Sequence, residues 1–326
     1  MTHPMQSGVT KYTVCLYTRP MINQPLESVA TPSSPQPSSA QRLPDWFRRS
    51  LGKRNATLRL SDRLGDAVPN SICEEARCPN RAECFSKGVL TFMILGTTCT
   101  RNCGFCSVRH GKPLPPDPEE ITPILHAIRT LNLRFVVLTS PNRDDLPDGG
   151  ASHFALTVQT IQSHFPDVKV EVLIPDFKGV ESDLVTVINS RPHVLNHNIE
   201  TVPSLYRTVR KGSLYQRSMT LLARTKQLAP SLLVKTGLMV GLGETGDELA
   251  RVFDEVARSG VDILTIGQYL KPDKQSLDIV RYYHPDEFEA LQSRALSAGI
   301  RYVFSGPHVR SSFLAEHVFD DLHITQ

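Results

Sequence analysis

Two clusters of cysteine carry the reactive chemistry of this chain. Residues 97 to 106 read TTCTRNCGFC and place Cys99, Cys103 and Cys106 in a C-x3-C-x2-C spacing. Upstream, CEEARCPNRAEC places Cys73, Cys78 and Cys84 in a C-x4-C-x5-C spacing. Soft thiolates select iron–sulfur clusters, zinc or copper(I). Three cysteines on a four-iron cubane leave one iron open to bind a substrate, whereas a purely electron-carrying cluster normally takes four. A zinc knot with a distant fourth ligand competes with this reading of the 97–106 triplet. A single six-ligand zinc assembly competes for the pair, against the unequal spacings and the strand-like TFMILG between them.

The elements that must hold these thiols follow from the hydrophobic pattern. Six short apolar or β-branched runs alternate with helical stretches: 91–96, 135–139, 169–174, 193–198, 233–240 and 263–270. Ile124, Leu125, Ile128 and Leu131 form one helical stripe, and Leu249, Val252, Phe253, Val256 and Ala257 another, the latter behind a Thr245–Glu248 capping box. Six such units predict an α/β fold, a partial (β/α)6 TIM-like barrel. Chemistry in such barrels sits at the carboxyl ends of the strands, and the 97–106 loop directly follows the first. Residues 1–42 read as a Pro/Ser-rich disordered leader and 43–90 as an N-terminal extension with the upstream triplet. Residues 91–300 read as the barrel, and 301–326 as a C-terminal segment.

Composition sets outer limits. The 326 residues are 40% hydrophobic and 21% charged, as in ordinary globular proteins. A formal charge of +3 is too small to argue for nucleic acid as a partner. No run approaches the roughly 18 apolar residues of a membrane span, and the N-terminus lacks the apolar core of a secretory signal, so a cytoplasmic, reducing location is expected. In that setting, six of seven cysteines between 73 and 106 point to metal or catalysis; Cys15 has no role. The stretch 46–63 sets six basic residues against one acid, a solvated surface or a docking face for an acidic protein.

Other loops are less specific. GLGET (241–245) lacks a Walker lysine, so its glycines suit close backbone approach to a cofactor rather than phosphate cradling. SPNRDDLPDGG (140–150) is placed on the rim of the active site, with Asp148 turning the chain into the next helix. His193, His197 and His308 read as structural or supporting residues.

The C-x3-C-x2-C motif, with Phe105 before its last cysteine, resembles the signature of radical S-adenosylmethionine enzymes. With the upstream triplet, PNSICEEARCPNRAECF, FMILGTTCTRNCGFCSV, VVLTSPNRDDLPDGGA, NHNIETVPSLY, GLMVGLGET, LTIGQYLKP and SGPHVRSSF make the chain similar to the lipoyl synthase family from about Leu60 to Phe313. The resemblance implies two 4Fe-4S clusters. One is held by Cys99, Cys103 and Cys106 and binds S-adenosylmethionine; the other, auxiliary cluster is held by Cys73, Cys78, Cys84 and Ser312. It further implies Phe105, Asn198, Glu200 and Arg210 as cofactor contacts. The implied reaction inserts two sulfurs, at C6 and C8 of an octanoyl-lysine, using two S-adenosylmethionine molecules per lipoyl group, with the auxiliary cluster as sulfur source. Implied partners are octanoylated lipoyl carrier domains (2-oxoacid dehydrogenase E2 subunits and the glycine cleavage H protein), an electron donor such as flavodoxin or ferredoxin, and an iron–sulfur carrier, with neither nucleic acid nor membrane. Phe313, Leu314 and Ser276 stand where the family commonly has tyrosine, histidine and histidine. A biotin-synthase-like sulfur inserter and a non-catalytic iron–sulfur electron carrier or sensor are the alternatives.

Overall fold

A computed structural model describes residues 43, 44, 47, 64, 65, 68–72 and 89–312. All of them lie in Leu43–Gln326, the second of the two units into which the chain divides. Seven parallel strands form one sheet in the order β1 (Val89–Met93), β4 (Phe135–Thr139), β5 (Lys169–Leu173), β6 (Val194–Asn196), β7 (Leu233–Val240), β8 (Ile263–Gln268) and β9 (Tyr302–Gly306). Two two-residue strands, β2 (Thr98–Cys99) and β3 (Arg109–His110), pair apart from it. The crossovers are α1 (Ile121–Leu131), α2 (Ala151–His164), α3 (Glu181–Asn189), the short α4 (Tyr206–Val209) followed by α5 (Tyr215–Leu228), α6 (Gly246–Arg258) and α7 (Pro285–Ser297). Among the described residues β1 and β9 do not pair, so the curved sheet stays an open, partial barrel.

The six strands expected from periodicity are all present, and β9 is a seventh, drawn from the stretch that the sequence reading assigned to a C-terminal segment. Four of them end one to three residues earlier than expected, and for β1 and β6 the backbone gives the reason. Leu95 and Gly96 take left-handed conformations (φ 66° and 81°) that turn the chain out of β1, and Glu200 does the same beyond β6 (φ 66°). Outward-facing Leu90, Phe92, Val136, Leu138, Val170 and Val172 bury against α1–α3. Val234, Leu238, Leu264 and Ile266 bury against the stripe of Leu249, Val252, Phe253 and Val256 on α6. The Thr245–Glu248 capping box that starts α6 forms as read, with both reciprocal bonds present.

The inner face is more polar. Lys235 Nζ lies 3.1 Å from both Glu171 oxygens, and Asn196 Nδ2 donates to Glu171 at 3.0 Å. This buried pair joins β5, β6 and β7 across the lumen. Among the described residues no helix is long and apolar enough to cross a membrane.

Glycine matters most at Gly241. At φ 99°, an added Cβ would meet the Gln268 amide and lie 2.6 Å from the Arg281 carbonyl. Gly241→Ala is therefore expected to destabilise the metal-free chain by about 2 kcal/mol or more. Gly246→Ala, at an open helix start, should be neutral or slightly stabilising. Urea denaturation of both variants checks this, and equal midpoints would refute it.

Candidate active site

The loop after β1 is held at both ends before any thiol is reached. The Glu120 carboxylate accepts from the Leu95 and Gly96 amides at 2.6 and 3.1 Å, and His153 Nε2 lies 3.0 Å from it. Arg143, 2% exposed, donates to the Leu95 carbonyl at 2.8 Å and the Leu114 carbonyl at 3.0 Å while pairing with Asp145. One guanidinium thus grips the start and the end of the cysteine segment. Gly104 lies between α4 and the loop after β8: its amide donates to the Val209 carbonyl and its carbonyl accepts from the Leu277 amide, both at 2.8 Å. A Cβ here would sit 2.9 Å from Leu277 Cδ1 and 3.1 Å from the Thr208 carbonyl, so the motif's glycine is required by close packing.

Cys99, Cys103 and Cys106 are free thiols on this one loop. Cys99 Sγ accepts from the Arg101 amide (3.4 Å) and the Asn142 amide (3.3 Å), and Cys106 Sγ from the Val108 amide (3.4 Å). Burial pushes the Cys103 thiol up to about 12, against the lowering influence of Arg210, and burial likewise pushes Cys106 up to about 11. In that state both hold their protons, and polycationic iron would supply the charge that makes them ligands. Among the described residues no three His, Cys, Asp or Glu side chains gather around a single ion. Spread sulfurs with amide donors suit a cubane, in which each thiolate takes a different iron.

Arg101, between the first two cysteines, anchors the loop sideways. Its guanidinium forks onto Asp144 (2.7 and 2.8 Å) and Asp176 (2.6 and 3.0 Å) and also donates to Ser213 Oγ at 3.0 Å. Asp144 follows β4 and Asp176 follows β5, so three loops meet on one cation. Burial opposes the charge on Asp176, but the hydrogen bond and charge of Arg101 prevail and hold its carboxyl well below the usual range. The backbone after Asp176 is left-handed at Phe177, Lys178 and Gly179 (φ 43°, 54° and 82°), a strained run that turns the carboxylate inward.

Opposite the thiols stand the residues expected to hold the cofactor. Glu200 is fixed by its backbone, which exchanges bonds with Gly237 and Met239 of β7 at 3.0 and 2.9 Å. Burial raises its carboxyl pKa, while Arg210 and a hydrogen bond from Asn198 oppose the shift. Asn198 Oδ1 is buried with no hydrogen-bond partner and lies beside Gly237, whose missing side chain leaves room there. Arg210 donates to Tyr206 Oη (3.0 Å) and Ser218 Oγ (2.9 Å). Burial works against its charge, but Tyr206, Glu200 and Cys103 outweigh this and raise its pKa. Phe105 packs with Val209, Leu242, Tyr269 and Met239. Orphaned acceptor, neighbouring acid and base, and three free thiols on one loop together fit an amino-acid-bearing nucleoside seated on a cluster.

Residues 93–256 match the model of the radical SAM superfamily. The chain is 48% identical over 275 residues, 84% of its length and 96% of the relative's, to a lipoyl synthase of Caldicellulosiruptor saccharolyticus. It is 47% identical to that of Chlorobium limicola, over 87% of this chain and 97% of the relative. The chain belongs to the lipoyl synthase family. Solved structures show the fold at larger distance: methylornithine synthase at TM-score 0.51 and 14% identity, over 82% of this chain and 96% of that one. SuiB of Streptococcus suis bound to S-adenosylmethionine matches at TM-score 0.53 and 11% identity, over 72% of this chain and 55% of that one.

Cys73, Cys78, Cys84, Phe313 and Leu314 lie outside the described residues. Immediately before Cys73, Ser71 bridges Phe92 on the free edge of β1, and Asn70 accepts from the Met93 amide at 2.8 Å. Ser312 is half-buried in a turn after Val309, whose carbonyl packs where a side chain on Gly267 of β8 would stand. Phe47 packs against His308 in a tilted arrangement with ring centroids 4.7 Å apart, so the segments around residues 47 and 308 meet. Ser276 caps a turn by bonding Asp273 at 2.9 Å.

Two expectations change in detail. In GLGET, the Gly241 and Leu242 amides are taken by the chain's own Glu244 (2.6 and 2.9 Å), which also accepts from Tyr283, and the close approach at Gly241 comes from Gln268 and Arg281. The 140–150 loop, read only as a rim, supplies the clamps Asn142, Arg143 and Asp144. Arg101, Asp176, Glu120 and Ser218 were not singled out from the sequence. A lone cation between two cysteines of the motif is the one sequence signal that could have found Arg101.

His197 supports Arg210 from behind. Its Nδ1–H donates to the Ile174 carbonyl (2.8 Å), which leaves Nε2 to accept from Ser218 (2.9 Å). Burial, then Arg210, press its pKa down to about 3. Because the unfolded imidazole titrates near 6.5, the unfolded chain binds the extra proton between about 3 and 6.5. Stability from this group is therefore complete above about 6.5 and lost as the pH falls below it. His197→Gln should flatten the loss between pH 6.5 and 5 by up to about 1.4 kcal/mol per pH unit. Denaturation midpoints across that range, compared with the parent chain, test the sign.

Proposed function

We propose that this chain inserts two sulfur atoms, at C6 and C8, into an octanoyl group carried on a lysine of a lipoyl carrier domain. The observation that carries the reading is the meeting of near full-length likeness to lipoyl synthases with three free thiols on one loop facing Glu200 and Arg210. Cys99, Cys103 and Cys106 would hold one 4Fe-4S cluster, and Cys73, Cys78, Cys84 and Ser312 the auxiliary one. When bound, these groups and S-adenosylmethionine supply a hydrogen-abstracting deoxyadenosyl radical and the sulfur, chemistry that unactivated C–H bonds require because they offer no acidic proton.

The chain's own residues then have defined tasks. Arg210, locked by Ser218 and Tyr206, would bind the carboxylate of the methionyl group, and Asn198 with Glu200 would bind the ribose hydroxyls. Phe105 lies on the apolar side of the nucleoside. Holding these groups rigidly keeps a reactive primary carbon centre beside one acyl chain and away from others. Ser312 would contribute an oxygen, a harder and weaker partner for iron than thiolate, which would leave that corner easier to open. Flavodoxin or ferredoxin as electron donor and an iron–sulfur carrier for rebuilding the spent cluster complete the expected partners.

Cys103→Ala is expected to abolish both S-adenosylmethionine cleavage and sulfur insertion. Cys78→Ala should keep cleavage and lose only insertion, with bound iron falling by about half. Anaerobic assays that count 5′-deoxyadenosine, together with mass spectrometry of an octanoylated carrier-domain peptide, read the two steps separately. Equal loss of cleavage in both folded variants would overturn this division of labour.

A further inference from the structure

Both backbone amides that donate to Cys99 Sγ belong to residues tied to the same buried ion cluster, and the Asn142 side-chain amide adds a longer contact at 3.9 Å. One is the amide of Arg101 itself, at 3.4 Å, whose guanidinium is forked onto Asp144 and Asp176. The other is the amide of Asn142, at 3.3 Å, two residues before Asp144. Thr100 completes the tie. Its amide and hydroxyl both donate to the Asn142 carbonyl at 2.9 Å, while its hydroxyl accepts from the Asp144 amide at 3.1 Å. Arg217 adds a second cation on Asp176 at 3.2 Å, and Lys178 donates to the Asp144 carbonyl at 2.7 Å. The side chains of Arg101 and Asp176 are 5% and 0% exposed, so this cluster has little freedom to rearrange.

Hydrogen bonds to ligand sulfurs favour the reduced, more negative state of an iron–sulfur cluster and so raise its potential. We infer that Arg101 is a positioning residue which, through Asp144 and Asp176, fixes both backbone amide donors on Cys99 and thereby sets the reduction potential of the cluster held by this loop. Arg101 touches no reacting atom. A point charge cannot replace it, because one planar fork must satisfy two carboxylates from two different loops.

The test compares Asp144→Asn and Arg101→Lys in the full chain, with Arg224→Gln as a control because the Arg224–Glu181 pair is exposed and distant. In anaerobically reconstituted protein, the electron paramagnetic resonance signal that changes on adding S-adenosylmethionine identifies the cluster, and a redox titration gives its midpoint. Both variants should shift the midpoint to more negative values, and the control should not. In the metal-free chain, at fixed pH, Cys99 should be alkylated by N-ethylmaleimide on the order of tenfold faster as the loop loosens. An unchanged midpoint in the two variants would overturn the inference. If a variant takes up no iron, parental alkylation of Cys99 would do so. Asp144 is partly exposed, so Asp144→Asn decides the question even if Arg101→Lys fails to fold.

Discussion

Arg101 is a cation placed where the chain has almost no water to offer it, and the geometry of the site follows from how that cation is neutralised. Two carboxylates reach it from the loops after β4 and β5, and a hydroxyl reaches it from the segment before α5. Removing one partner from such a buried group costs roughly 3–5 kcal/mol because a charge is left uncompensated. The loops therefore have one arrangement in common. In a barrel whose chemistry lies on loops rather than on strands, that constraint converts a flexible rim into a fixed surface.

A second guanidinium and a third carboxylate hold the backbone as well as their own side-chain partners, Asp145 and His153. Arg143 takes the carbonyls at the two ends of the cysteine segment, and Glu120 takes the amides where β1 breaks off. The left-handed residues 95 and 96 leave those groups without a strand partner, and a buried polar group without a partner is costly. The strand break that turns the loop toward the barrel mouth is thus stabilised by the same contacts that hold the loop.

On the facing side the design is a relay of fixed hydrogens. His197 can present only an acceptor to Ser218, so the serine hydroxyl points its proton at the ring and its lone pairs at Arg210 and Tyr206. The guanidinium near Cys103 is then oriented by neutral groups while Glu200 balances its charge. Such preorganisation suits a reaction whose intermediate must meet one substrate and nothing else. The Glu171–Lys235 pair deeper in the lumen serves the sheet, locking β5 to β7 beneath the site.

The amino-acid sequence by itself determined the β/α alternation, the two cysteine triplets and the family. Each depends on local spacing: apolar residues recur at a strand or helix period, and ligands within one loop sit close whatever the rest of the chain does. The same holds for the Thr245–Glu248 cap and the Asp148 turn, which involve neighbours along the chain. The seventh strand, the Arg101 fork across 43 and 75 residues and the orientation of Arg210 by Ser218 were decided only in three dimensions. Their partners are brought together by the order of strands in the sheet, and no period or spacing encodes which distant carboxylate a buried cation will meet.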